Sequence, residues 1–162
     1  MKWLTTHPTR LLTPFLGVLL FASTLALFSP SLSYELVPVD DVTYVTENML
    51  VLTGLSPQSI RAAFSPGNAT APMYMPLLWI SYMADVSLLN ASPTHPWGFH
   101  FTNVLLHALT ASLLFALFAV WCKKPWLAFF WAAVWAFHPL RVESVAWVTE
   151  RKDVLSGLFC LL

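Results

Sequence analysis

Three long apolar runs, separated by polar segments, dominate the pattern of hydrophobic and polar positions along the chain. They cover residues 11–28, 99–121 and 126–138, and none of them contains Asp, Glu, Lys or Arg. An α-helix rises about 1.5 Å per residue, and the hydrocarbon core of a bilayer is about 30 Å thick. The pattern therefore predicts an all-α, polytopic membrane helical bundle in which these runs are transmembrane helices 1, 2 and 3.

The first run has an alternative interpretation as a cleavable signal peptide. Ser31-Leu32-Ser33 offers a small-x-small cleavage site after it. The apolar core of a signal peptide is usually about 7–15 residues long, which is shorter than residues 11–28. The length favours an uncleaved span, with residues 1–10 as a cytoplasmic N-terminus.

Residues 29–98 form a long outer loop rich in Pro, Ser and Thr, within which two short helices are predicted. Ser56 is a suitable N-cap for a helix from Pro57 to Phe64, because proline is favoured at the first helical position. A second helix is expected from Pro76 to Leu89. We expect both to lie in the membrane interface; ordinary packing within a small soluble loop domain is the alternative. On one side, the second helix would carry Leu77, Ile80, Ala84 and Leu88.

The third apolar run ends at a change of character. Pro139 lacks an amide donor, and Arg141 and Glu143 would be costly in hydrocarbon. Residues 139–153 are therefore predicted to form an outer segment, with a short interfacial helix from Glu143 to Lys152.

Residues 154–162 read as the start of a fourth transmembrane helix. This run is too short to cross a bilayer, which needs about 20 residues. We therefore expect the chain to be the front piece of a longer protein.

Composition supports a membrane protein and excludes nucleic-acid binding. Hydrophobic residues make up 57% of the chain and charged residues only 10%, whereas a soluble domain carries about 25% charged residues. The formal net charge is +0, so the chain lacks the basic footprint that nucleic acids require. Cys122 and Cys160 fall at opposite predicted membrane faces and form neither a metal motif nor a plausible disulfide.

The distribution of basic residues predicts the orientation. Lys2 and Arg10 precede the first run, and Lys123 and Lys124 join the second to the third. These residues belong on the cytoplasmic side by the positive-inside rule. The loop 29–98 and the segment 139–153 then share the opposite face.

Two adjacent acids, Asp40 and Asp41, are the first candidates for chemistry. A carboxylate can accept the proton of an attacking hydroxyl or hold a divalent metal. The pair follows the first span closely, at the expected boundary between lipid and water. The alternative is a pair of solvated loop acids.

A basic cluster in the outer segment is the second candidate. Its cations lie on the outer face against the positive-inside rule, and they are suited to clamping a phosphate group. The alternative is a solvated helix with internal ion pairs, in which Glu143 or Glu150 would be the acidic partner. The expected donor-phosphate-binding residues are His138, Arg141, Arg151 and Lys152.

Polar residues also occur inside the second apolar run. Asn103 and His107 are four residues apart, and Thr110 follows on the same side. Such groups usually bond across to a neighbouring helix, and a substrate contact is the alternative. His100, nearer the interface, is open to both roles.

Several segments together resemble the outer regions of a known family. The family is that of membrane glycosyltransferases joined to tetratricopeptide repeats, which are relatives of the protein O-mannosyltransferases and have the GT-C fold. The resemblance is carried by residues 39–48 (VDDVTYVTEN), 76–81 (PLLWIS), 103–108 (NVLLHA), 138–147 (HPLRVESVAW) and 150–156 (ERKDVLS).

The resemblance implies transfer of a mannose-like sugar from a polyprenyl-phosphate donor in the membrane lipid to a protein hydroxyl. The family's acidic pair maps onto Asp40 and Asp41, one of which would act as the base. A third acid of the family's run is replaced here by Val42, which argues against a metal role that needs extra carboxylates. A divalent metal stays an open alternative. The implied location is a bacterial inner membrane or the endoplasmic reticulum membrane, with the active face away from the cytoplasm. The supporting polar residues would be Glu143, His100, Asn103 and His107.

Length is the main departure from that family. Its members have more spans and a repeat domain, whereas no internal repeat is detectable here. We therefore expect this polypeptide to be inactive alone. A non-catalytic membrane scaffold or assembly protein is the alternative function.

Overall fold

The computed structural model describes residues 9–66 and 73–162, and its regular secondary structure is helical. The predicted cytoplasmic segment 1–10 lies almost wholly outside the described residues. Within the described ranges there is no β-strand, only an isolated bridge between Ser92 and His95, so the all-α class is confirmed. The α-helices are α1 (Thr9–Phe28), α2 (Met49–Leu52), α3 (Pro57–Ala63), α4 (Pro76–Leu89), α5 (Trp97–Cys122), α6 (Pro125–Ala136), α7 (Arg141–Ala146) and α8 (Arg151–Leu161).

Two of these helices are long and apolar enough to cross a bilayer. They are the first, extended by a 3₁₀ turn to give Leu11–Ser33, and the 26-residue α5. They correspond to the first two predicted spans. The third predicted span, 126–138, is a helix of only 12 residues, about 18 Å long at 1.5 Å per residue. It ends at Ala136 because the chain turns at His138 and Pro139.

Helix α5 is the centre of the bundle, and it packs against α1, α6 and α8. Small residues line the contact with α6, which lets the two helices approach closely. Phe115 fills the space beside Gly17, where an added Cβ would lie 3.4 Å from its ring. The buried members of this cluster are Leu16, Leu20, Ala111, Phe115, Ala128, Ala132 and Ala136.

The outer loop forms a second core of its own. Its helices pack through α4 onto the start of α5. Leu77 and Leu88, expected to face the rest of the protein or the membrane, lie on the exposed side of α4. The opposite side of α4 is buried in the core of the loop. The loop therefore packs as a small helical unit, and the apolar side of α4 that carries Leu77 and Leu88 stays exposed. The main buried residues are Tyr44, Val45, Val51, Leu78, Trp79, Tyr82, Met83, Phe99 and Val148.

A tight connection fixes α4 against α5. Asn90 ends α4 in the left-handed conformation, with φ at 52°, which short polar side chains tolerate. Gly98 then allows a close approach, because a Cβ there would lie 2.9 Å from the Cβ of Ala91. The connection holds the end of α4 beside the first turns of α5.

The predicted interfacial helix from Glu143 to Lys152 is wrong. Helix α7 stops at Ala146, Trp147 is extended, and a 3₁₀ turn over Val148–Glu150 leads into α8. The reason is that side chains from elsewhere take the backbone groups that a continuous helix would use. The carbonyls of Trp147 and Val148 accept from Asn103 and Tyr82, and the amide of Thr149 donates to a carboxylate.

The close contact between α5 and α6 leads to a stability prediction. Replacing buried Ala132 with Leu should overpack this contact and lower the free energy of unfolding by about 1–3 kcal/mol. Ala116 is exposed on α5, so Ala116→Leu is the matched control with little expected effect. Thermal unfolding of both variants in detergent measures the difference. Equal midpoints would contradict the packing described here.

Candidate functional site

The two adjacent acids occupy different environments. Asp41 is completely buried, and its two oxygens accept from the amides of Val37 at 2.8 Å and Thr149 at 3.1 Å. Asp40 is half-buried, and within residues 9–66 and 73–162 its carboxylate has no hydrogen bond or ion pair. Asp41 therefore joins the end of the first span to the outer segment, while Asp40 is left available.

Local structure after the acids keeps them in place. A π-helical turn over Val42–Thr46 follows directly, closed by the bond from the Glu47 amide to the Val42 carbonyl at 2.8 Å. Asn48 then caps α2 by accepting from two amides of its first turn, as an N-cap residue does. The acid pair thus lies at the start of a well-hydrogen-bonded segment.

A buried ion pair lies behind the outer segment. Arg151 is fully buried, and its Nη1 lies 2.5 Å from Oδ2 of Asp85 on α4. Its Nε donates to Oδ1 of Asn103 at 2.7 Å, and its Nη2 donates to the Phe99 carbonyl at 2.7 Å. The guanidinium also lies over the Tyr82 ring, 4.3 Å from its centroid. Each of the three guanidinium nitrogens therefore has a polar partner, which a buried charge needs.

Burial affects the ionisation of the groups around this pair. Desolvation raises the pKa of Asp85, and the Arg151 cation and the Thr102 hydroxyl partly oppose the rise. The Thr102 hydroxyl donates to the other Asp85 oxygen at 2.6 Å. Burial likewise raises the pKa of the Tyr82 phenol, again partly opposed by Arg151. The phenol stays protonated and donates to the Val148 carbonyl at 2.9 Å.

The four expected phosphate-binding residues are not gathered at one place. Arg151 is committed to the ion pair described above. The half-exposed ammonium of Lys152 bonds to Glu150 at 2.8 Å. Burial lowers the pKa of Lys152, but Glu150 together with Tyr44 and Asp153 gives a net rise. His138 is exposed, and its Nδ1 accepts from the Leu140 amide at 3.2 Å. Of the four, His138 and Arg141 line a common cavity.

That cavity is a mainly apolar cleft of about 600 Å³ between α5, α6 and α8. Arg141 lies at its polar end, with its guanidinium 4.8 Å from the centre of the Trp135 ring. The Nε of Arg141 is buried without a hydrogen-bond partner in the described part of the chain. An apolar cleft with a cationic end suits an amphiphile with an anionic head group. The apolar lining includes Leu114, Phe118, Trp131, Val134 and Leu161.

The polar residues of α5 bond to neighbouring segments. Asn103 donates to the Trp147 carbonyl at 3.0 Å, and Nε2 of His107 lies 2.9 Å from the Ala136 carbonyl. Thr110 instead bonds within its own helix. Asn103 thereby connects α5 to the outer segment, and His107 connects it to α6.

His100 and Glu143 lie on the side facing the acid pair. His100 is buried edge-on against the Tyr34 ring, and neither ring nitrogen has a well-formed hydrogen bond among the described residues. Glu143 is exposed and lines a small groove of about 270 Å³ that also contains Glu35. Neither residue contacts the cleft of Arg141.

Asp85, Tyr82 and Thr102 are site residues that sequence reasoning missed. A single acid in a loop helix carries no motif. A signal was nevertheless present, because Asp85 shares a helix face with Leu78 and Tyr82 at helical spacing. A lone acid on an apolar face needs a partner, and Arg151 is that partner.

Metal binding receives no structural support from the described residues. No group of three His, Cys, Asp or Glu side chains is close enough there to hold an ion. Both oxygens of Asp41 accept from backbone amides, which leaves Asp40 as the single open acid of the pair.

These features define an all-helical chain of membrane type, with two helices long and apolar enough to span a bilayer and an acid pair of which Asp41 is anchored to the outer segment. The chain is related in sequence to the TMTC protein O-mannosyl-transferases. It is 32% identical over 89 residues to human TMTC2, 33% over 96 residues to human TMTC1 and 32% over 108 residues to human TMTC4. The matches cover 55%, 59% and 59% of this chain.

The chain spans only a small part of those relatives, 10%, 10% and 14% of their lengths. No protein-family model matches the chain, and no solved structure matches it. The relatives confirm the family resemblance, whereas the GT-C fold and the tetratricopeptide repeats stay expectations.

The buried ion pair leads to a second stability prediction. Arg151→Met should leave Asp85 buried and unpaired, which costs about 3–5 kcal/mol of unfolding free energy. Lys152→Met removes the neighbouring cation from a half-exposed pair and should cost at most about 1 kcal/mol. Unfolding in detergent, followed by circular dichroism, compares the two. Similar losses in both variants would contradict the difference in burial.

Proposed function

We propose that this chain forms the outer, acid-bearing part of a multi-pass membrane O-mannosyltransferase. The enzyme transfers mannose from a polyprenyl-phosphate donor to a protein hydroxyl, at the face of the membrane away from the cytoplasm. The observation that carries the proposal is an open carboxylate, Asp40, beside an anchored one, Asp41. The relation to the TMTC protein O-mannosyl-transferases supports it.

The structure favours different roles for the two acids. A general base must be within hydrogen-bond reach of the hydroxyl whose proton it accepts. Asp40 is half-buried with free oxygens, so it is the acid assigned to that task. Asp41 already accepts two amide protons and is enclosed, so it acts as a positioning residue.

The apolar cleft provides a place for the donor. Its walls suit an isoprenoid tail, and Arg141 and His138 suit the phosphate. Arginine binds phosphate through paired, charge-assisted hydrogen bonds. Arg151 and Lys152 drop out of this role in the proposal because both already have acidic partners.

The proposed step is a displacement at the anomeric carbon of the sugar. The acceptor oxygen forms a new bond to that carbon while its proton passes to Asp40. The bond between the carbon and the phosphate oxygen breaks, and the phosphate leaves with the electron pair. Arg141 and His138 stabilise the charge that develops on the departing phosphate, as fixed donors do in a site of low polarity.

The position of helix α7 determines the path that the sugar must follow between the two parts of the proposed site. Arg141 faces the cleft, whereas its neighbours Val142 and Glu143 line the small groove that contains Val37. The sugar must therefore extend from the Arg141 side, past the start of α7, to Asp40. A lipid-soluble donor and a water-soluble acceptor would meet at this edge of the outer segment.

Substitution of the open acid tests the proposal. Asp40→Asn removes the base but keeps the shape, so kcat for mannose transfer should fall by about 100-fold or more, with a small change in KM. The assay uses membranes containing the protein as its gene encodes it, a polyprenyl-phosphate-mannose donor and a protein acceptor. Asp153→Asn, an exposed acid of the same outer face, is the matched control. Unchanged transfer in Asp40→Asn would instead favour the scaffold function.

Substitution of the cleft cation tests donor binding separately. Arg141→Met should raise KM for the donor by about 10- to 100-fold, since hydrogen bonds to a charged group contribute roughly 1.5–3 kcal/mol. The same assay with varied donor concentration measures it. Lys124 lies in the turn between α5 and α6, so Lys124→Met is the control and should leave KM unchanged. An unchanged KM in Arg141→Met would remove the cleft from the proposal.

A further inference from the structure

The buried ion pair lies directly behind the backbone that anchors the acid pair. Arg151 follows the anchoring residue Thr149 by two positions, and Asp85 approaches it from α4. Asp85, Tyr82, Asn103 and Arg151 are here called the buried polar unit. Its members come from α4, α5 and the start of α8, so it ties three separate elements together.

Side chains of the buried polar unit hold the backbone of residues 147–149 by donating to its carbonyl groups. Asn103 donates to the Trp147 carbonyl at 3.0 Å, and Tyr82 donates to the Val148 carbonyl at 2.9 Å. The guanidinium of Arg151 fixes the other end of the Asn103 amide at 2.7 Å. The backbone is therefore held on its carbonyl side by three linked side chains.

The amide side of the same backbone meets the acid pair. The amide of Thr149 follows the carbonyls of Trp147 and Val148 in the chain, and it donates to Asp41. The Val148 carbonyl and the Thr149 amide belong to one planar peptide group. A rotation that freed this carbonyl from Tyr82 and Asn103 would therefore also turn the amide away from the carboxylate. The orientation of Asp41 thus depends on a unit that contacts it nowhere by a side-chain hydrogen bond.

We propose that the buried polar unit is a positioning device for the acid pair, with Asp85 and Tyr82 as its key positioning residues. This inference rests on the proposed function, because its catalytic consequence is the placement of Asp40 next to Asp41. Misplacement of a reacting group by about 1 Å can cost about 100-fold in rate. A unit that served stability alone would lower the melting temperature and leave the acid pair in place.

Two variants of graded severity test the inference in the protein as its gene encodes it. Asp85→Asn removes the charge that pairs with Arg151, and Tyr82→Phe removes only the hydroxyl that bonds the Val148 carbonyl. Glu150→Gln is the matched control, because it breaks a half-exposed ion pair in the same segment.

The first readout is amide hydrogen exchange, which needs no sugar transfer. Exchange reports how often each amide opens. We expect the Thr149 amide to exchange at least tenfold faster in both variants, while the amides in the middle of α5 and α6 keep their rates. Glu150→Gln should leave Thr149 unchanged. An unaltered Thr149 rate in a folded Tyr82→Phe protein overturns the inference, and this variant decides alone where Asp85→Asn does not fold.

The second readout is the split between kcat and KM in the mannose-transfer assay. A positioning role predicts a fall in kcat of at least tenfold for Asp85→Asn with KM for donor and acceptor within twofold. Faster Thr149 exchange with normal kcat overturns the positioning role. Failure of the proposed function looks different, because the unmodified protein then transfers no sugar while the exchange result still stands.

Discussion

The enclosed contact between the Arg151 guanidinium and the Asp85 carboxylate is the interaction on which the outer structure depends. Two charges removed from water are tolerated only where nearly every donor and acceptor is matched. That demand fixes the ring of Tyr82, the amide of Asn103 and the carbonyl of Phe99 around the pair. It also explains why the chain breaks its helix after α7 and begins α8 at the arginine itself.

The ion pair lies beside the core of the outer loop, and a third hydrophobic cluster (Phe28, Val104, Val145 and Val154) lies between that core and the core of the bundle. One core belongs to the bundle of α1, α5 and α6, and the other to the outer loop helices. Both rest on α5, the loop core near its first turns and the bundle core further along. Asp41 connects the outer segment at Thr149 to Val37, in the segment that follows α1. The candidate site is therefore formed where rigid parts meet, which is the arrangement that precise placement of functional groups requires.

Local signals predicted the elements better than their contacts. The bounds of α4 follow from its proline and its apolar length, and the structure reproduces them from Pro76 to Leu89. Its orientation was not predictable, because both sides of the helix are apolar and hydrophobicity could not choose between them. The acids were recognised as a pair, but the partners of Asp41 are the backbone amides of Val37 and Thr149. Backbone donors leave no trace in residue identity, and neither does a pairing between residues far apart in the chain.

The shortness of α6 has a consequence for the lipid around the protein. A 12-residue helix covers roughly 18 Å, well below the hydrocarbon thickness of about 30 Å. Its exposed aromatic side chains, Trp126, Phe130 and Trp131, suit an apolar or interfacial environment. In the proposed multi-pass arrangement, thinning of the bilayer beside α6 would relieve such a mismatch at modest cost. Head groups would then descend beside the wall of the cleft, so that a lipid could enter sideways without being lifted out of its leaflet.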